Sequence, residues 1–126
     1  MAVACLIYGS WTNVMINVST DNPTVGVVGL GYVGLPLAIE FGKKFSAVGF
    51  DINNQRIQEL SNGLDVTNEV TAVELADSKH LTLSDSISAI ENCNCYIVTV
   101  PTPVDKNNRP DLTPLYKASE TVGKVL

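Results

Sequence analysis

Three glycines at fixed spacing, Gly29, Gly31 and Gly34, stand directly behind the short apolar run Val25-Gly26-Val27-Val28. A short β-branched run reads as a buried strand, the glycines as a tight turn and the residues after them as a helix. In that context the pattern is one for the pyrophosphate of a dinucleotide. Gly29 lets the chain reverse, Gly31 leaves room for a phosphate against the backbone, and Gly34 lets the helix pack on the strand. Leu30, Tyr32 and Val33 fill the positions between them. The helix N-terminus then presents unpaired N–H groups and a partial positive charge.

A second feature supports the first. Asp51 lies 22 residues after Gly29, at the end of the apolar stretch 46–51. That separation sets a carboxylate at the tip of a second strand, beside an adenosine ribose. There it accepts hydrogen bonds from the ribose hydroxyls and repels a 2′-phosphate, so the expected cofactor is NAD rather than NADP. Asp51 could also cap the helix that follows. Arg56 could pair with Asp51, lie along the adenine and ribose, or form a surface pair with Glu59; its charge leaves NADP disfavoured rather than excluded. Val100-Pro101-Thr102-Pro103 ends a later strand and flanks the same crevice. Tyr32 could cover a cofactor or pack on that loop. Cys93 and Cys95 make a poor metal site with the distant His80, and Cys95 opens a buried strand, where a cysteine is inert. No metal site and no catalytic residue is assigned.

These groups need a scaffold. Strands are expected at 24–28, 46–51, 80–83 (weakly) and 95–100. Helices are expected at 32–44, 53–62 with Gly63 closing it, near 71–77, at 85–92 behind a Ser84 cap, and at 112–126 behind Asp111. The run Cys95–Val100 is apolar on both faces, as strands inside a parallel sheet are. The fold class is therefore α/β, a Rossmann-like parallel sheet with helices on both faces and strand order 3-2-1-4. The crevice lies between the first and fourth of these strands. The sheet reads as truncated after the fourth main strand, which would leave an apolar edge. Residues 24–126 are thus expected to be a NAD-binding domain and a fragment of a larger protein. Residues 1–23 read as a flexible lead, with an extra edge strand or upstream sequence before Met15 as open alternatives. Tyr8 and Trp11 are the side chains that could pin it.

Composition narrows the class. The 126 residues are 45% hydrophobic and 17% charged, with a net charge of −5, ordinary for one globular domain. The negative charge argues against nucleic acid or an anionic membrane as a partner. No apolar stretch reaches the roughly 20 residues that span a bilayer, and the first positive side chain is Lys43, so no signal peptide is read and a cytoplasmic location is expected. Three cysteines, Cys5, Cys93 and Cys95, give no disulfide framework.

The runs GLGYVGLPLAIEFGKK, VGFDINNQRIQEL and YIVTVPTPVDKNNRPDLTPL together resemble the N-terminal domain of the UDP-glucose/GDP-mannose dehydrogenase family, nearest to the subgroup oxidising UDP-N-acetylhexosamines. The resemblance runs from Thr24 to the C-terminus. It implies a four-electron oxidation of a sugar C6 alcohol to a carboxylate by two NAD molecules in turn, through a thiol-bound intermediate, in surface polysaccharide synthesis. It also implies a UDP-sugar substrate and a homo-oligomer in the full-length enzyme, with the catalytic cysteine and its helpers beyond the stretch matched. By the same resemblance Gly29 to Gly34 hold the pyrophosphate, Asp51 and Arg56 the adenosine ribose, and Val100 to Val104 the nicotinamide half. A non-catalytic NAD-binding module of the same fold is the alternative.

Overall fold

The computed structural model of the chain describes residues 2–7 and 22–125. Five strands form one sheet: β1 (Ala2–Ile7), β2 (Thr24–Val28), β3 (Ser46–Phe50), β4 (Leu81–Ser84) and β5 (Cys95–Val100), in the order β1-β5-β2-β3-β4. The pairs β2–β3, β2–β5 and β3–β4 are parallel. These four strands have the expected 3-2-1-4 order, with the turn after β2 beside the end of β5.

The parallel strands are buried on both faces because their alternate residues feed two separate cores. Along β5, Tyr96 and Val98 join Val28, Phe50, Ile90, Ala118 and Val122 on one side. Ile97 joins Val25, Val27, Leu35, Ile39, Ile57 and Leu60 on the other. That alternation is the two-residue period of a strand. The second core is covered by α1 (Gly34–Lys44) and α2 (Asn54–Ser61), and the short α3 (Ala72–Asp77) follows in the crossover. The first is covered by α4 (Thr113–Gly123) and a 3-10 turn at Ile87–Ile90.

The departures from the sequence reading have identifiable causes. Helix α1 begins at Gly34 rather than 32, because Tyr32 and Val33 belong to the glycine turn and no side chain caps the helix. The Asn53 side chain, not Asp51, caps α2 by accepting from the Arg56 amide. Ser84 is the last residue of β4, its carbonyl taken by the Asp51 amide at 3.2 Å; its hydroxyl accepts from the Ser86 amide at 3.0 Å, making a turn instead of a helix cap. The stretch after it is only a 3-10 turn, tied down where the buried Tyr96 hydroxyl donates to the Ile90 carbonyl at 2.7 Å. Finally, β5 is not left as a bare edge. Strand β1 pairs with it antiparallel along its length, from Ala2 opposite Val100 to Ile7 opposite Cys95. Backbone pairing of this kind satisfies an otherwise open row of N–H and C=O groups. Tyr8, Trp11 and Met15, singled out in the sequence, lie outside the described residues.

Candidate functional site

The site is built on the turn between β2 and α1. Gly29 has φ +99°, a backbone shape that side chains rarely adopt, and its amide donates to the Phe50 carbonyl at 2.8 Å. A Cβ on Gly34 would collide with the Gly29 carbonyl and the Thr99 hydroxyl. Both glycines are thus required by the chain itself. Gly31 differs: a Cβ there would meet nothing within 4 Å. The open space over Gly31 is the room that a phosphate against the backbone needs.

The turn is held from three sides. The Leu30 side chain is fully buried, its amide donates to Asp51 Oδ2 at 2.9 Å, and its carbonyl accepts from Arg56 Nε at 2.9 Å. The Thr99 hydroxyl, inside β5, donates to the Gly29 carbonyl at 2.7 Å. Asp51 Oδ1 accepts from the Asn53 amide at 2.9 Å. A carboxylate can accept about four hydrogen bonds, so Asp51 is fixed in place with acceptor capacity remaining.

Arg56 makes neither of the ion pairs left open in the sequence. Its guanidinium lies behind the turn, 2.8 Å from Asp65 Oδ1, with both side chains buried. The Asp65 carboxylate also accepts from the Thr67 amide and hydroxyl and from the amides of Glu69 and Val70. Burial alone would raise its pKa. The Thr67 hydrogen bonds, the Arg56 guanidinium and the Val70 amide outweigh that and hold it well below the usual carboxylate range.

In front of the turn lies a cavity of about 520 Å³ between the ends of β2, β3 and β5 and helix α4. Of the residues singled out in the sequence, Gly29, Leu30, Gly31, Tyr32, Asp51, Val100 and Pro101 line it. Val33, Gly34, Arg56, Thr102 and Pro103 do not: Gly34 and Arg56 are buried behind the turn, and the Pro103 carbonyl turns back to accept from the Asp111 amide at 2.7 Å. Residues not anticipated complete the wall: Thr99, Ile52 and a stripe of α4, Pro114, Lys117, Ala118 and Thr121. Two signals pointed there. Thr99 is the one aliphatic hydroxyl in the apolar run Cys95–Val100, and the α4 residues recur at helical spacing.

The size suits a small-molecule ligand, and the lining suits a dinucleotide. It offers turn amides and a helix N-terminus for phosphates, a carboxylate for a diol, and apolar Ile52, Pro101 and Ala118 for flat rings. The lining contains neither cysteine nor histidine. Cys93 is buried in the core beneath, its thiol pushed up to about 11 by burial and then by Cys95.

Residues 23–126 match the sequence model of the UDP-glucose/GDP-mannose dehydrogenase family, NAD binding domain. The chain is 60% identical over 102 residues to a UDP-N-acetyl-D-glucosamine 6-dehydrogenase of Pseudomonas aeruginosa, covering 81% of this chain and 24% of that protein. It is 56% identical over 106 residues to the enzyme of the same name from Salmonella typhi, covering 84% and 25%. The structure of a UDP-D-ManNAc dehydrogenase from Pyrococcus horikoshii superposes with a TM-score of 0.74 at 31% identity, over 82% of this chain and 26% of that one. The chain thus spans about a quarter of the length of the curated relatives it matches.

Proposed function

Because the chain belongs to the UDP-glucose/GDP-mannose dehydrogenase family, with residues 23–126 its NAD-binding domain, we propose that it holds NAD for an enzyme that oxidises the C6 alcohol of a UDP-N-acetylhexosamine to the uronic acid. The substrate class rests on the 60% and 56% identity to two UDP-N-acetyl-D-glucosamine 6-dehydrogenases. When bound, NAD supplies the hydride acceptor. The full-length enzyme is read as a cytoplasmic homo-oligomer serving surface polysaccharide synthesis. The net charge of −5 argues against nucleic acid or an anionic membrane as a partner. No helix among the described residues is long and apolar enough to cross a membrane.

Residue by residue, the turn from Gly29 to Gly34 holds the pyrophosphate, through amides other than those of Gly29 and Leu30, which are taken within the fold, with Tyr32 as a lid at its edge. Asp51 accepts from the ribose hydroxyls. Val100, Pro101, Thr102 and Pro103 bound the nicotinamide half, the first two from the cavity wall and the others by shaping the loop. Arg56 serves the site at one remove, by holding the Leu30 carbonyl. The observation that carries this reading is the open space at Gly31, beside a carboxylate fixed by the turn itself. Gly31→Val tests it: calorimetry should show NAD binding lost while the thermal unfolding midpoint stays within a few degrees, since no protein atom meets the new side chain. Unchanged NAD affinity would refute the placement.

A further inference from the structure

Among the described residues lining the cavity, three carry charge: Asp51, Asp111 and Lys117. A dinucleotide brings phosphate charge into a chain whose net charge is already −5, so its approach is opposed unless a local cation answers it. The uncapped N-terminus of α1 supplies a partial charge only. Helix α4 supplies a whole one. Ala118 and Val122 are buried against the sheet, which fixes the rotation of the helix. Pro114, Lys117 and Thr121, at helical spacing beside Ala118, then face the crevice. Within the helix the Thr121 hydroxyl donates to the Lys117 carbonyl at 2.9 Å. Lys117 forms no ion pair among the described residues, and the Asp111 carboxylate on the same wall feels its charge without a direct contact.

Building on the cofactor reading, we infer that Lys117 is the cation that answers the phosphate charge of the bound dinucleotide, a specificity element contributed by α4 and separate from the glycine turn. A lysine suits this role because its ammonium acts as a point charge on a flexible stem and needs no fixed geometry. It should strengthen any phosphate-bearing adenine ligand and be indifferent to one without phosphate.

The test is calorimetry on the whole chain with NAD, ADP and adenosine, for the unaltered protein, Lys117→Gln and Lys117→Arg, at low and high salt. Lys117→Gln should weaken ADP and NAD by about threefold to tenfold, flatten the salt dependence and leave adenosine affinity unchanged, while Lys117→Arg restores most of the loss. ADP affinity equal to that of the unaltered chain would overturn the inference and leave the cofactor site standing. Equal losses for ADP and adenosine would also overturn it, since they would mark Lys117 as a packing residue. Failure of the unaltered chain to bind NAD would instead overturn the proposed function, and the inference with it.

Discussion

At the scale of single residues, the three turn glycines separate into two kinds. Gly29 and Gly34 are demanded by the chain, one by its positive φ and one by the Gly29 carbonyl and Thr99 hydroxyl against it. Gly31 is demanded by nothing in the protein. Gly34→Ala should therefore destabilise the fold by about 1–3 kcal/mol, and Gly31→Ala by no more than about 0.5 kcal/mol, as read by urea unfolding. The reverse order would mean that the turn is built differently. Arg56 and Asp65 make a second pair of linked residues. Removing one partner of a buried pair leaves the other charge uncompensated, so Arg56→Met should cost about 3–5 kcal/mol. The Asp65 carboxyl is held below its ordinary value in the fold, so it contributes stability above the unfolded pKa. That contribution is lost as pH falls through the unfolded value toward the folded one. Asp65→Asn should lower stability near neutrality and flatten its decline below about pH 4; a parallel decline in both proteins would contradict the ion-pair role.

At the scale of elements, legibility followed how far a segment's structure was decided by its own residues. The strand Val25–Val28, the glycine turn, α2 with Gly63 (φ +76°) behind it, and β5 all carry strong local signals, and the structure has them in place. Ser84 misled because a serine before a polar stretch looks the same whether it caps a helix or ends a strand. The outcome was set by its pairing with Phe50 on the neighbouring strand, which is a non-local fact. Arg56 was visible as a basic residue of the site, but nothing local to Asp65, nine residues on, marks that carboxylate as its buried partner. The α4 wall was hidden for the same reason: helical spacing identifies a face, and only the sheet says what it faces. Strand β1 was one of several alternatives, because its partner edge lies about ninety residues away in the sequence. Removing residues 1–21 should leave β5 unpaired on that side, lower the thermal midpoint and promote self-association in size-exclusion chromatography. A truncated chain that remains monomeric with the same midpoint would show that β1 adds nothing to the edge.

At the scale of the whole molecule, four parallel strands with helices on both faces bring the ends of β2, β3 and β5 to one crevice. Each end delivers one part of the site: the turn, the carboxylate and the loop. This convergence explains why residues some seventy positions apart, Gly29 and Thr99, are joined by a single hydrogen bond. It also explains why the cofactor choice should be carried by one side chain, Asp51, held against the Leu30 amide. The most direct measurement is calorimetry of NAD and NADP on the unaltered chain and on Asp51→Asn, which keeps an acceptor for that amide and removes the charge. The unaltered chain should bind NAD at least about tenfold more tightly than NADP, the scale of one unpaired charge–charge conflict, and Asp51→Asn should erase most of that gap. Equal affinities in the unaltered chain, or a gap untouched by Asp51→Asn, would contradict the assignment of this crevice as a NAD site built around the Gly29–Gly34 turn.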